Sequence, residues 1–349
     1  MDDSGNESPK RSASHTKGTG KISHEAVADV STEAEQSAGI TLGDLTDLLV
    51  LESVNQFGPQ KFKELHAAKI TPHHVLLNPD LLPIKGKRGD TFRAEIRALT
   101  DEVREECRRR AANQIIAAAK YKAKILTYDH SYYPRNVYES NNPIPVLYVR
   151  GSLVILRERN VVGCVGSRKI RPPYYSQHAE FARTAVDSGF VVVSGFALGA
   201  DTVGHEAAFK HDGQTICVMP GGLERPFPPE NKHLWEDLLA SDKAAFVTEF
   251  GFGVRAAALT LKKRNKLIVA FAKGVLVGQS AASGGAMNAY RFSREQHKPV
   301  ATFAEDGSDD TSGNKLIAEE KKPGDEIFPS GISDLTAYKR WLHQLSSSI

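Results

Sequence analysis

The chain reads as an α/β protein: a Rossmann-like, doubly wound, mostly parallel sheet with a small helical N-terminal domain in front of it. Three observations carry that reading. From about Asn160 to Ala304 short apolar runs alternate with helical segments over short connections, the pattern of parallel strands covered by helices on both faces. Several of these runs stop abruptly at small residues: 161 to 165 ends in Gly166-Ser167-Arg168-Lys169, 190 to 193 in Ser194-Gly195, and 215 to 219 in Pro220-Gly221-Gly222. Ligands of parallel sheets sit outside the carboxyl ends of the strands, so these turns are expected to share one binding edge. The chain before residue 124, by contrast, carries helical periodicity.

Element by element, residues 1 to 40 are polar, rich in Ser, Gly, Lys and Glu, and too poor in apolar residues to offset ordering, so a disordered arm is expected. A helical N-terminal domain follows over 41–123. Leu42, Leu45, Leu48 and Leu49 recur at helical spacing behind Thr41 as N-cap, Phe57-Gly58-Pro59 breaks the run, and Phe62 and Leu65 start a second helix. One long helix is expected from about Thr91 to Ala123, its charged run Arg104 to Arg110 forming a solvated face. The α/β part spans 124–305, with helices near 174–188, 199–211, 231–240, 263–271 and 284–296. Beyond it, 306–349 reads as an acidic, Gly- and Ser-rich link and a short helix, about Asp334 to Leu345.

Composition excludes several classes. With 45 basic and 42 acidic residues among 349, the net charge of +3 is too balanced for a general polyanion binder, so any nucleic-acid footprint has to be a local patch. Cys107, Cys164 and Cys217 have no metal-ligand spacing and suit small buried hydrophobes in a reducing compartment. No apolar run approaches the roughly 18 residues needed to cross a bilayer, and no signal peptide is visible, so a cytoplasmic protein with no membrane partner is expected.

The turn after residue 165 is built for an anion. Gly166 lets its backbone N–H approach a phosphate, the helix expected near Tyr174 would turn its positive end toward the same spot, and Arg168 offers a planar fork of donors beside Lys169. The competing reading of Arg168 is a surface arginine closing a loop. Ser194 and Gly195 lead to Asp201, with His205 one helical turn further on. These two read better as residues that structure the loop than as an acid–base pair. Lys262, Lys263, Arg264 and Lys266 around Asn265 put cations at an expected helix start, where they oppose the dipole unless an anion is shared. Ser280 to Gly285, with Ser283 and Gly284, should join the same edge, and Phe196, Phe227 and Phe250 could stack on bases.

Taken in order, Gly166-Ser167-Arg168, SGFALGADTVGHEAA (194–208), GGLERPFPPEN (221–231), TEF (248–250), KRNKLIVAFA (263–272) and SGGAMNA (283–289) resemble the motif series of the DprA/Smf family of bacterial DNA-processing proteins. The likeness covers roughly residues 41 to 305. It implies single-stranded DNA binding, loading of the recombinase RecA onto that DNA in natural transformation, dimerisation through the Rossmann-like domain, and neither cofactor nor catalytic turnover. By motif position Gly166, Ser167 and Arg168 would carry a phosphate, with Ser194, Gly195, Lys263, Arg264, Asn265 and Ser283 lining the same groove. The sequence departs from the family where Glu52 to Pro59 replaces a Gly-x-Gly hairpin, and the tail is too short for a C-terminal winged helix. The alternative is a nucleotide sensor, possibly of antiphage defence, or a nucleoside-monophosphate phosphoribohydrolase, whose phosphate loop also begins Pro-Gly-Gly. Here Leu223-Glu224-Arg225-Pro226 replaces the Gly-Thr step of such enzymes, leaving Glu224 or Glu249 as the acid.

Overall fold

A computed structural model describes residues 30–347 apart from residue 142; the expected arm from 1 to 29 lies outside the described residues. Where the arm was expected to continue to residue 40, the chain is instead helical. The Ser31 hydroxyl accepts from the Ala34 N–H at 3.2 Å and caps α1 (Thr32–Ala38), which buries Ala38 and ends at Gly39 in the left-handed region, φ +83°. Thr41 caps α2 (Leu42–Ser53), accepting from the Asp44 N–H at 3.1 Å. Three further helices follow: α3 (Pro59–Ala67), α4 (Pro72–Leu77) and α5 (Gly86–Arg97).

The long helix expected from 91 to 123 is two helices, α5 and α6 (Asp101–Lys120). Thr100 sets the break. Its hydroxyl accepts from the Val103 N–H, and Asp101 and Glu102 fill the first turn, where carboxylates meet the positive helix end. The charged run on α6 is a solvated face, with Glu105, Glu106, Arg108 and Arg110 exposed and Arg109 paired to Glu106.

The α/β part then runs β1 (Ala123–Leu126), α7 (Arg135–Glu139), β2 (Leu147–Gly151), β3 (Val161–Val165), α8 (Tyr174–Asp187), β4 (Val191–Ser194), α9 (Ala200–Lys210), β5 (Thr215–Val218), α10 (Lys232–Ala240), β6 (Ala244–Thr248), α11 (Ala258–Phe271), β7 (Gly274–Val277), α12 (Met287–Glu295) and β8 (Val300–Phe303). Alternate residues of each strand face opposite layers, and both layers are buried. Val161 and Val165 pack with Leu267 of α11 and Tyr290 of α12, whereas Val162 and Cys164 pack with Phe181 of α8 and Val203 of α9. That double burial is why these strands read as unbroken apolar runs.

The short helix expected near 334–345 is present over residues 335–347, but the stretch before it is more than a link. Residues after 305 add α13 (Ser312–Glu319), β9 (Glu326–Phe328) and α14 (Leu335–Ser347) to the same body. Among the described residues the strands form one nine-stranded sheet in the order β1-β2-β6-β5-β4-β3-β7-β8-β9, antiparallel only where β2 meets β1 and β6. Trp341 and Tyr338 of α14 are fully buried against Phe181, and the Trp341 indole N–H donates to the Gly324 carbonyl at 2.9 Å. A Cβ on Gly274, where β7 begins, would stand 2.8 Å from Leu345 Cδ1, so the tail helix lies against the sheet itself.

Two measurements check this packing. Trp341→Ala removes a fully buried indole and is expected to cost about 3–5 kcal/mol in denaturant unfolding; a loss under about 1 kcal/mol would show the tail to be dispensable. His178 and His205 are buried without charge, and burial holds their pKa values down, to about 4 and about 3 against an ordinary 6.5. Below pH 6.5 the unfolded chain takes up protons that the folded chain refuses, so stability is full above that pH and falls as pH drops toward the folded values. The unfolding midpoint should therefore fall between pH 7 and pH 4, less steeply in His205→Gln.

Candidate nucleic-acid interface

Chain direction fixes where a ligand can enter. From β3 the chain steps outward through β4, β5 and β6, then returns to β7 on the other side of β3 and steps outward again to β8 and β9. The crevice outside the carboxyl ends of β3 and β7 is thus the switch point of the sheet. A cavity of about 470 Å³ lies there, lined by the turn after β3 (Gly166, Ser167, Arg168), the loop after β7 (Ser280, Gly284, Gly285) and one side of α11 (Lys262, Arg264, Asn265).

Close packing shapes the turn after β3. A Cβ on Gly166 would stand 2.7 Å from the Ala200 Cβ and 3.2 Å from the Gln279 carbonyl oxygen, so glycine lets β3, α9 and the β7 loop converge. The Ser167 N–H donates to the Gln279 carbonyl at 2.7 Å, and the Ser167 carbonyl accepts from the Ala200 N–H at 3.0 Å. The Ser167 hydroxyl accepts from the Lys169 N–H at 3.0 Å, leaving its own hydrogen to donate to an incoming oxygen. Arg168 is exposed at the rim.

Arg264 forms the floor. Its side chain is only 6% exposed, its Nη1 stands 3.3 Å from Asp201 Oδ2, and its Nε is buried without a partner. A Cβ on residue 195 would fall 0.7 Å from that Nη1, so glycine here admits the guanidinium, and residue 195 itself is outside the cavity lining. Burial pushes the Arg264 pKa down, Asp201 opposes that and the neighbouring Arg168 adds to it; burial likewise pushes Asp201 up against the pull of Arg264. A buried cation with one long ion pair attracts further negative charge. Asn265 donates to the Gly285 carbonyl at 3.2 Å and ties α11 to the loop after β7.

Other expectations are corrected. The basic cluster is not at a helix start, because α11 begins at Ala258, so dipole repulsion does not explain it. Helix periodicity divides it: Lys262, Arg264 and Asn265 line the cavity, while Lys263 is exposed outside the lining and its charge acts on the partly buried Glu249. Lys169 and Ser283 are exposed but also outside the lining. Ser194 is buried and donates to the Cys164 carbonyl. Asp201 and His205 do not pair with each other. Asp201 accepts from the Ala197 N–H at 3.3 Å, while His205 Nδ1 meets Thr215 Oγ1 at 2.6 Å; that hydroxyl donates to the Val192 carbonyl, so the imidazole is the donor.

The strand ends do not all converge. Residues 220–222 pack on the loop 251–256, where a Cβ on Gly221 would stand 2.7 Å from the Val254 carbonyl oxygen, and they are absent from the cavity lining. Neither does the start of α8 line it; the first residues of α11 and α12 do. Phe196 is fully buried against Phe246 and cannot stack on a base, whereas Phe227 is 39% exposed. Glu224 and Glu249 lie outside the lining, whose carboxylates are Asp201 and Asp310.

Two contributors escaped sequence reasoning because they come from beyond residue 305. Asp310 reaches the rim, near Arg171 at 3.7 Å. Asn314 of α13 holds the β7 loop: its Oδ1 accepts from the Ser280 N–H at 2.9 Å and its amide donates to the Gly278 carbonyl at 2.8 Å. No short motif could signal them. Among the described residues no group of three His, Cys, Asp or Glu could hold a metal ion, and no helix is long and apolar enough to cross a membrane.

Comparison with known proteins places this geometry. Residues 124–325 match the family model of DNA recombination-mediator protein A. The chain is 30% identical over 185 residues to protein Smf of Synechocystis sp., covering 51% of this chain and 45% of that one. It is 30% identical over 176 residues to DNA processing protein DprA of Streptococcus pneumoniae, covering 50% and 60%. The chain thus spans about half the length of the curated relatives it matches. Its fold superposes on the S. pneumoniae DprA structure with a TM-score of 0.58 at 21% identity, over 87% of this chain and 95% of that one. DNA processing protein A from Helicobacter pylori, described for its single-stranded DNA binding mode, gives 0.55 at 21% identity, over 63% and 96%. With the family's model spanning more than half its length, the chain belongs to the DNA recombination-mediator protein A family, the DprA/Smf proteins.

Proposed function

We propose that the switch-point cavity holds a backbone phosphate of single-stranded DNA, and that the protein hands such DNA to a RecA-type recombinase in natural transformation, as a homodimer and without catalytic turnover. The observation that carries the DNA reading is the convergence of Arg168, Lys262 and the buried Arg264 on one cavity beside the Gly166-Ser167 turn. Three cations face two carboxylates there, so a balanced chain still presents a local anion site. Exposed Phe227 and Leu198, on neighbouring loops of the same sheet edge, offer apolar surface to bases. The relative from H. pylori supports single-stranded DNA as ligand. The recombinase, transformation and the dimer rest on the family resemblance.

Fluorescent oligothymidylate, titrated against duplex at several salt concentrations, tests the reading. The single strand should bind more tightly, with an affinity that falls steeply with salt. Arg168→Ala and Lys262→Ala should each weaken binding several-fold and flatten the salt slope by about 0.7, the value of one single-strand phosphate contact. Lys263→Ala, which leaves the cavity intact, should change neither. If no oligonucleotide binds at low salt while a nucleoside monophosphate does, the nucleotide-site reading replaces this one; the cavity is within the roughly 300–1,000 Å³ of small-molecule sites.

Gly195→Ala separates the scaffold from the contact. The added methyl has to displace the Arg264 guanidinium, which is expected to cost about 1–3 kcal/mol of stability and to lower oligothymidylate affinity although residue 195 is outside the cavity lining. Unchanged affinity in a folded variant would remove Arg264 from the site.

A further inference from the structure

A second cavity, about 1100 Å³, lies away from the sheet edge, between the N-terminal helices and the chain after β1. At that volume it stands at the upper end of the roughly 300–1,000 Å³ of small-molecule sites, with room for several side chains. Its floor is apolar, from Leu48, Phe62, Leu65, Ile70 and Tyr138. Its walls are acidic: Glu35, Asp44, Asp47 and Asp129 line it against a single lysine or arginine, Lys69.

These carboxylates are held in place by neighbours. Glu35 Oε1 accepts from the Leu42 N–H at 2.6 Å, Asp47 Oδ2 meets His73 Nδ1 at 2.9 Å, and Asp129 Oδ1 meets His66 Nε2 at 3.3 Å. His66 is itself fixed by the Tyr138 hydroxyl at 2.9 Å from its Nδ1. Each of these bonds occupies one of about four lone-pair sites on a carboxylate, so a cation can be shared without undoing it. A phosphate backbone would be repelled here, so the groove is separate from the proposed DNA site.

The chain supplies a complementary occupant. Between Ser8 and His24 the sequence carries Lys10, Arg11, Lys17 and Lys21 and no Asp or Glu, with Ile22 as an apolar anchor. The described chain begins at Val30, and Thr32 already lines the groove, so this basic stretch is tethered at its rim. From Lys21 to Val30 an extended chain reaches about 30 Å. Tethering converts docking into an intramolecular event at an effective concentration of about a millimolar or more, so individually weak ion pairs suffice. We propose that the acidic groove is the docking site of residues 8–24 of the same chain, with the four cations of that segment facing Glu35, Asp44, Asp47 and Asp129.

Zero-length carbodiimide cross-linking of the full chain, mapped by peptide mass spectrometry, tests this directly. Lys10, Lys17 or Lys21 should join the groove carboxylates several-fold more often than other exposed carboxylates such as Glu105 or Glu295, and the excess should fade at high salt. In a mixture of isotopically light and heavy chains the products should carry one isotope. Mixed-isotope products would assign the groove to a second copy and overturn the intramolecular proposal. So would an absence of enrichment. Because Asp44→Lys with Asp47→Lys disturbs α2, the charge reversal Lys10→Glu, Lys17→Glu, Lys21→Glu gives a second reading that alters no residue of the described fold. It should speed amide exchange across 66–73 several-fold, and unchanged exchange there counts against docking.

Discussion

The site hangs on one steric and electrostatic fact: a guanidinium is sealed where a side chain of residue 195 would be. Arg264 reaches from α11 across the end of β4, lies on the bare Cα of Gly195, and pairs at 3.3 Å with Asp201 in the first turn of α9. That one side chain ties α11 to the end of β4 and the start of α9, more than sixty residues earlier in the chain. Breaking such a pair from one side leaves a buried charge alone and costs about 3–5 kcal/mol, so these elements have little freedom to drift. The arrangement also leaves the Arg264 Nε with no partner, and the cavity above it is where a further acceptor would be favoured.

Around that pair the fold converges by omitting atoms. Gly166 brings the β3 end against Ala200 and Gln279, and Gly284 lets the β7 loop fold back on its own Ser280 and Ala281. The crossover that returns the chain to β7 beside β3 opens a crevice, and the omitted side chains let backbone close around it. Asn314, from the segment after β8, then holds the loop after β7 in place through the Ser280 N–H and the Gly278 carbonyl. The tail is therefore part of the support of the site as well as of the sheet.

Much of this was legible in the sequence, for identifiable reasons. Apolar runs such as 161–165 and 244–248 gave their strands without error because both faces of a parallel strand are buried. Thr41 and the Phe57-Gly58-Pro59 break marked the first helices through local capping chemistry. The long helix failed because Thr100 is a capping residue inside a pattern that otherwise stays helical; of the tail the last helix was legible, but β9 was not, because it has only three residues, Glu326–Phe328, with a charge at its start.

The sequence by itself determined the α/β class, the turn after residue 165 and the list of cations available to it, because propensity, periodicity and chain reversal are local properties. Tertiary structure alone decided which of those cations share a cavity. Side chains turn about 100° per residue along a helix, so Leu261, Lys262, Arg264 and Asn265 share the half of α11 that faces the crevice while Lys263 lies on the opposite half. It also decided that Gly195 serves an arginine nearly seventy residues away, that His205 answers to Thr215 and not to Asp201, and that Asp310 reaches the rim. Each of these depends on which strand lies beside which, a choice made by burial of the whole sheet and carried by no single segment.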